Sequence, residues 1–168
     1  MDSKTKKTLL IASAIFALIV TMYMFHIFSS SKELEFRSGT YYCKMNITSE
    51  NTPKVFSWDL GISKNNIKND IVENESNSQI LEQFRQTVNQ ISSKRFSLLL
   101  FLLYLIYIMI IFLSIEKDSK LYKKESDKKI LQLLITLMII FLICLITNAS
   151  IELNGLSKHA FYYFSLIK

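Results

Sequence analysis

Cys43 and Cys144 are the two thiols of this chain, and His26 and His159 its two imidazoles, so thiol or imidazole chemistry has four places to start. No pair of them sits at zinc-finger or iron–sulfur spacing. His26 and His159 are therefore read as solvated or hydrogen-bonded side chains, and no metal is expected. Cys43 and Cys144 leave one covalent option, a disulfide, if both reach one surface and their Cβ atoms approach to about 4 Å. The alternative is a separate buried thiol at each place. The three glycines, Gly39, Gly61 and Gly155, are too far apart to build a phosphate cradle, and the G-x-S-x-G, H-E-x-x-H and P-loop patterns do not occur. The residues predict neither an enzyme nor a cofactor.

A milder chemistry is written into apolar surroundings. Ser13, Ala17 and Thr21 repeat every four residues, a small-xxx-small ridge suited to close helix packing. Tyr104, Tyr107 and Ser114 mark a polar stripe in a second apolar block, and Gln132, Thr136, Ile143 and Thr147 share a face of a third. Within lipid, hydroxyl and amide groups gain roughly 0.6 to 2 kcal/mol each by bonding across a helix pair. The second and third blocks are therefore expected to form an antiparallel hairpin with these stripes facing. The Ser13, Ala17, Thr21 ridge is left for a larger membrane partner.

The elements that must carry these residues are three apolar blocks, residues 8–28, 96–115 and 130–147, none containing Asp, Glu, Lys or Arg. At 1.5 Å of rise per residue, each can cross a hydrocarbon layer of roughly 30 Å. Half of the 168 residues are apolar, and their concentration in these blocks excludes an ordinary soluble domain. Lys4, Lys6 and Lys7 precede the first block, and six lysines crowd residues 116–129, which places both segments on the cytoplasmic side. Residues 29–95 and 148–168 then lie outside, although Lys94 and Arg95, directly before the second block, weigh against that orientation. A cleaved signal peptide is the alternative for block one, but its apolar run exceeds the usual length of about 7 to 15 residues.

Residues 29–95 are the one polar stretch large enough to fold. Tyr41, Cys43, Met45 and Ile47 alternate with polar neighbours, and after Pro53 so do Phe56, Trp58, Leu60 and Ile62, which predicts a β-hairpin with one apolar face. Residues 63–78, rich in Asn, read as a mobile connector. Ile80, Phe84, Val88 and Ile91 then recur at helical spacing behind a possible Ser76/Gln79 capping box, in a helix expected to run into the second block. Phe161, Tyr162, Tyr163 and Phe164 in the tail read as an interfacial anchor. The triplets at Asn46, Asn74 and Asn148 match the N-glycosylation pattern and have meaning only in a cell that glycosylates.

The expected fold is an all-α polytopic membrane protein with three transmembrane helices and a small α+β extracytoplasmic domain between the first and second. Its domains run 1–7, 8–28, 29–95, 96–115, 116–129, 130–147 and 148–168. A plasma or inner membrane is its expected location, with the N-terminus cytoplasmic. The bilayer is one partner, and a membrane protein or a second copy another. Residues 116–129 carry a net charge of only +2 and no aromatic-basic surface of domain size, so nucleic acid is not expected. The function expected is a non-catalytic accessory or regulatory subunit. Two alternatives are a pore or permeability protein assembled from many copies and a membrane-embedded protective or exclusion factor. Transport through one copy lacks support, because the blocks hold no charged residue, Gly or Pro.

Overall fold

The computed structural model describes residues 13, 15–17, 19–22, 35–49, 55–117 and 125–167. The chain divides into two compact units, one drawn from Ser31–Ser97 and Ser150–Lys168, the other from Met1–Ser30 and Leu98–Ala149.

The first unit is built on a four-stranded antiparallel meander of β1 (Glu35–Ser38), β2 (Tyr41–Ser49), β3 (Val55–Ser63) and β4 (Asn66–Val72), in the order β1-β2-β3-β4. The alternation read in the sequence is the inner pair: Cys43 lies opposite Leu60 and Met45 opposite Trp58. Because side chains alternate across a pleat, this register puts Cys43, Trp58, Leu60 and Ile62 into one buried core. At the β1–β2 turn, Gly39 is the first of two loop residues and has φ of 64°, a backbone that favours glycine.

Two outer strands were not expected. β1 is short, and Phe36, opposite Cys43, is its buried apolar residue. β4 replaces part of the connector predicted over residues 63–78. Trp58 pairs with Ile71 but Leu60 with Lys68, so two residues, Asn69 and Asp70, oppose Asp59 alone. This is a β-bulge, with Asp70 at φ of 56° and its N–H donating to Asp59 Oδ1 at 3.0 Å. The extra residue turns Ile67 and Ile71 to opposite faces, Ile67 exposed and Ile71 against the core.

Two long helices follow, α1 (Ser78–Lys117) and α2 (Glu125–Leu166). The expected capping box does not form among the described contacts. Asn74 organises the entry instead: its Oδ1 accepts the N–H groups of Ser76 and Asn77 at 2.9 and 3.1 Å, while the Ser76 hydroxyl donates to the same oxygen. A short amide side chain closes such an Asx turn more readily than a serine reaching forward. Asn77 Nδ2 then donates to Val72 O at 3.0 Å, tying the end of β4 to the helix start.

α1 closes the sheet with Leu81, Phe84, Val88 and Ile91, all fully buried and spaced at one helical face. The second cover comes from Ala160 and Phe164 of α2 and from Ile167 directly after it, with Leu153 and Leu156 packed alongside. The four tail aromatics, expected to act together as an interfacial anchor, divide between two surroundings. Phe164 belongs to this core and Tyr163 flanks it, while Phe161 and Tyr162 are exposed.

In the second unit, α1 and α2 pack along Ile108 and Ile115 of one and Ile135 and Leu142 of the other. Both pairs are seven residues apart, the period of a left-handed supercoiled seam. Leu99, Leu102, Ile106 and Leu113 of α1 and Leu133, Leu137, Ile140 and Phe141 of α2 are exposed. Only 11% of the most apolar window of each helix is buried, whereas the central helix of a soluble protein is mostly covered. Among the described residues there are therefore two helices long and apolar enough to cross a membrane. Of the first apolar block, residues 13, 15–17 and 19–22 are helical, and the rest of 8–28 lies outside the described residues.

Candidate functional site

Of the polar stripes expected to face each other across the helix hairpin, three hydroxyls bond within their own helices. Ser114 Oγ donates to Ile110 O at 2.7 Å, Thr136 Oγ1 to Gln132 O at 2.8 Å and Thr147 Oγ1 to Ile143 O at 2.9 Å. Each hydroxyl is satisfied four residues back on its own helix, which removes the need for a partner. Thr136 is exposed and Gln132 half-buried, and the seam's buried residues are Ile108, Ile115, Ile135 and Leu142, with Tyr104, Tyr107 and Phe112 among the side chains packed against them. The α1 tyrosines, Tyr104 and Tyr107, pack against that seam and also meet the first apolar block. Tyr107 Oη and Ser13 Oγ share a hydrogen bond of 3.1 Å, and Phe16 stacks on the Tyr107 ring at 4.9 Å and lies tilted on Tyr104 at 5.1 Å. Of the predicted ridge, Ser13, Ala17 and Thr21 are all exposed, and Thr21 Oγ1 donates to Ala17 O at 2.6 Å. Ser13 is therefore the ridge residue that the structure joins to another predicted site residue.

Both cysteines are free thiols. Cys43 is fully buried in the sheet core, where burial pushes its thiol up to about 12, so it is not a nucleophile at neutral pH. Cys144 is exposed on α2 within the other unit. No three His, Cys, Asp or Glu side chains converge as metal ligands among the described residues.

Charged groups that the sequence did not single out organise the sheet unit. Lys68, on the core side of β4, donates to Phe164 O at 2.9 Å and to Ile167 O, and its ammonium lies 4.7 Å from the Phe164 ring centroid. A lysine there satisfies carbonyls that the end of α2 leaves open and meets the negative end of the helix dipole. Arg95 Nη1 donates to Ser38 O at 2.7 Å, and its guanidinium sits 5.6 Å from the Tyr41 ring centroid. A Cβ at Gly39 would meet only the end of that flexible side chain, so it is the positive φ that calls for glycine in the turn. Glu82 and Arg85 form a forked pair on α1, with bonds of 2.6 and 2.7 Å, beside Phe36. The Arg85 side-chain hydrogen bonds hold the Glu82 carboxyl below its usual range against the opposing effect of burial. Trp58 Nε1 donates to Glu73 Oε2 at 2.9 Å, which satisfies the polar end of an otherwise buried ring.

Among the described residues, a cleft of about 390 Å³ lies in the sheet unit, bordered by Asn89, Ser93 and Lys94 of α1 and Glu152, Gly155 and His159 of α2. Lys94 Nζ and Glu152 Oε2 form an ion pair at its edge. Lys94, which reads as an orientation signal in the sequence, thus has a specific anionic neighbour. The signal that could have found it is the helical set Glu152, Gly155, Leu156 and His159, polar on one side just after an apolar block. Comparison with known proteins gave no match to a protein-family model, a curated protein or a solved structure, so the functional reading rests on this geometry.

Proposed function

We propose that this chain is a three-span integral membrane protein, N-terminus cytoplasmic, that serves as a non-catalytic accessory or regulatory subunit of a larger membrane assembly. The observation that carries this reading is the continuity of α1 and α2. Each is an unbroken helix whose apolar stretch continues into the sheet unit, where Phe84, Val88 and Ile91 of α1 and Ala160 and Phe164 of α2 form the core. On this reading, hydrogen-bonded helices rather than a linker would carry a movement of the sheet. The exposed aliphatic faces around Leu133, Leu137 and Phe141 supply surface for lipid or for a partner helix.

Thiol-accessibility mapping with blue-native electrophoresis tests this. Lys64→Cys should react with an impermeant reagent on intact cells and Lys120→Cys only after permeabilisation. The extracted protein should co-migrate with a second polypeptide. Protection of residue 64 from outside would sink the orientation, and a large homo-oligomer without a second chain would favour the pore.

A further inference from the structure

We propose that the Lys94–Glu152 cleft binds the zwitterionic headgroup of phosphatidylethanolamine from the outer leaflet, an inference that rests on the membrane-spanning reading above. The cleft offers one cation and one anion, Lys94 and Glu152, on opposite helices. A phosphate on Lys94 and a primary ammonium on Glu152 would satisfy both at once, whereas an anionic headgroup would meet Glu152 as a like charge. The resident ion pair is half exposed, and pairs of this kind contribute little to stability, so a headgroup can insert between its members. Asn89 and Ser93, one helical turn apart on the same wall, add neutral donors and acceptors suited to an ammonium and to phosphate oxygens. A volume of about 390 Å³ falls within the range of small-molecule sites, about 300–1,000 Å³.

Two further observations point to a ligand at this place. Gly155 stands in the interior of α2, where glycine weakens a helix relative to alanine, yet among the described residues nothing beyond its chain neighbours and its own helix backbone lies within 4 Å of where its Cβ would be. Packing against protein therefore does not demand this glycine, and its missing side chain leaves the cleft open. Depth agrees as well. Lys94 precedes the apolar block beginning at Phe96 by about 3 Å of helix rise, and Glu152 follows Thr147 by about 7.5 Å. Both distances fall within a headgroup layer of roughly 5–8 Å on each side of the hydrocarbon.

The full chain, reconstituted in nanodiscs of mixed phosphatidylethanolamine, phosphatidylcholine and phosphatidylglycerol, is released into detergent and weighed by native mass spectrometry. One phosphatidylethanolamine should be retained, preferred about fivefold or more over either other lipid. Phosphatidylcholine shares the phosphate, but its three methyl groups remove the hydrogen bonds to Glu152. Gly155→Leu, which fills open space, should abolish that preference while leaving the sheet unit resistant to protease, and Lys94→Gln with Glu152→Gln should do the same. A soluble arm adds millimolar phosphoethanolamine to protein in phosphatidylcholine nanodiscs. Its failure to bind assigns the occupant to the bilayer, whereas binding there without lipid retention overturns the lipid assignment. Equal retention of all three lipids, or a preference untouched by Gly155→Leu, overturns the site. Carbonate extraction separates the two levels: a chain washed off the membrane defeats the spanning reading, and a chain that stays but shows no preference defeats only the headgroup.

Discussion

One helix, α1, lives in two environments, and the contrast between its halves shows what holds each unit together. Over residues 81–91 its apolar residues are confined to one face and fully buried, because water on the other side penalises any further exposure. Over residues 98–115 apolar residues occupy every face, yet only Ile108 and Ile115 are buried. In lipid there would be no incentive to bury the rest, and association there would depend on fit along a narrow seam. The sheet unit is accordingly held by hydrophobic burial reinforced by Lys68, Arg95 and Asn74. The seam is held by van der Waals packing of Ile108, Ile115, Ile135 and Leu142.

The sharpest way to break this comparison is to cut a hole in each unit. Phe84→Ala should cost about 3–5 kcal/mol and release the sheet unit to protease at temperatures where the parent resists. Ile108→Ala should cost less than half as much in a reversible unfolding titration in mixed micelles, because no hydrophobic driving force acts between helices in lipid. Equal losses at the two sites would show that the seam sits in water. Lys68→Met retains the stem and removes the charge. About 0.3–2 kcal/mol should be lost from the end of α2, read as faster amide exchange over residues 163–167 with little change at 81–91.

Smaller effects sharpen the same contrast. Tyr107→Phe should weaken crosslinking between residues near 13 and 107 by about 0.6 kcal/mol, while Thr136→Val should leave the seam unchanged, since its hydroxyl bonds its own helix. The smallest change is expected from acid. Because the Glu82 carboxyl is lowered from 4.5 in the folded protein, the stability it contributes is in place above that value and disappears as pH falls through the lower folded one. Thermal unfolding of the sheet unit should therefore lose a small increment below about pH 4.5, and Glu82→Gln should remove that increment. The seam has no such dependence to lose.

Legibility in the sequence followed the same divide. The apolar blocks stood out because lipid imposes a composition rather than a pattern, and the β2–β3 pair because alternation persists on both sides of Pro53. β4 was hidden by its own bulge: with Asn69 and Asp70 opposite a single residue, Ile67 and Ile71 keep an even spacing in sequence while pointing to opposite faces. β1 is four residues long and holds two charges in Glu35 and Arg37. The tail misled because its aromatic cluster drew attention away from a readable helical set of Leu153, Leu156, Ala160, Phe164 and Ile167. The stripes of Tyr104, Tyr107, Gln132 and Thr136 were visible, but their partners were not, because a helix backbone satisfies a hydroxyl as well as a neighbouring helix does.

The core shared by Phe36, Leu60, Phe84 and Phe164 joins residues separated by more than a hundred positions, with two apolar blocks threaded between them. A sheet formed from residues 35–72 and covered only by α1 keeps an open side until residues 153–167 arrive. In a chain whose blocks enter a bilayer, those residues arrive only after the last block has crossed. If the blocks span as proposed, closure of the sheet unit becomes a timer for membrane insertion: protease resistance of the sheet should appear only once residues 153–167 have reached it, and a chain arrested before then should display an unfinished sheet.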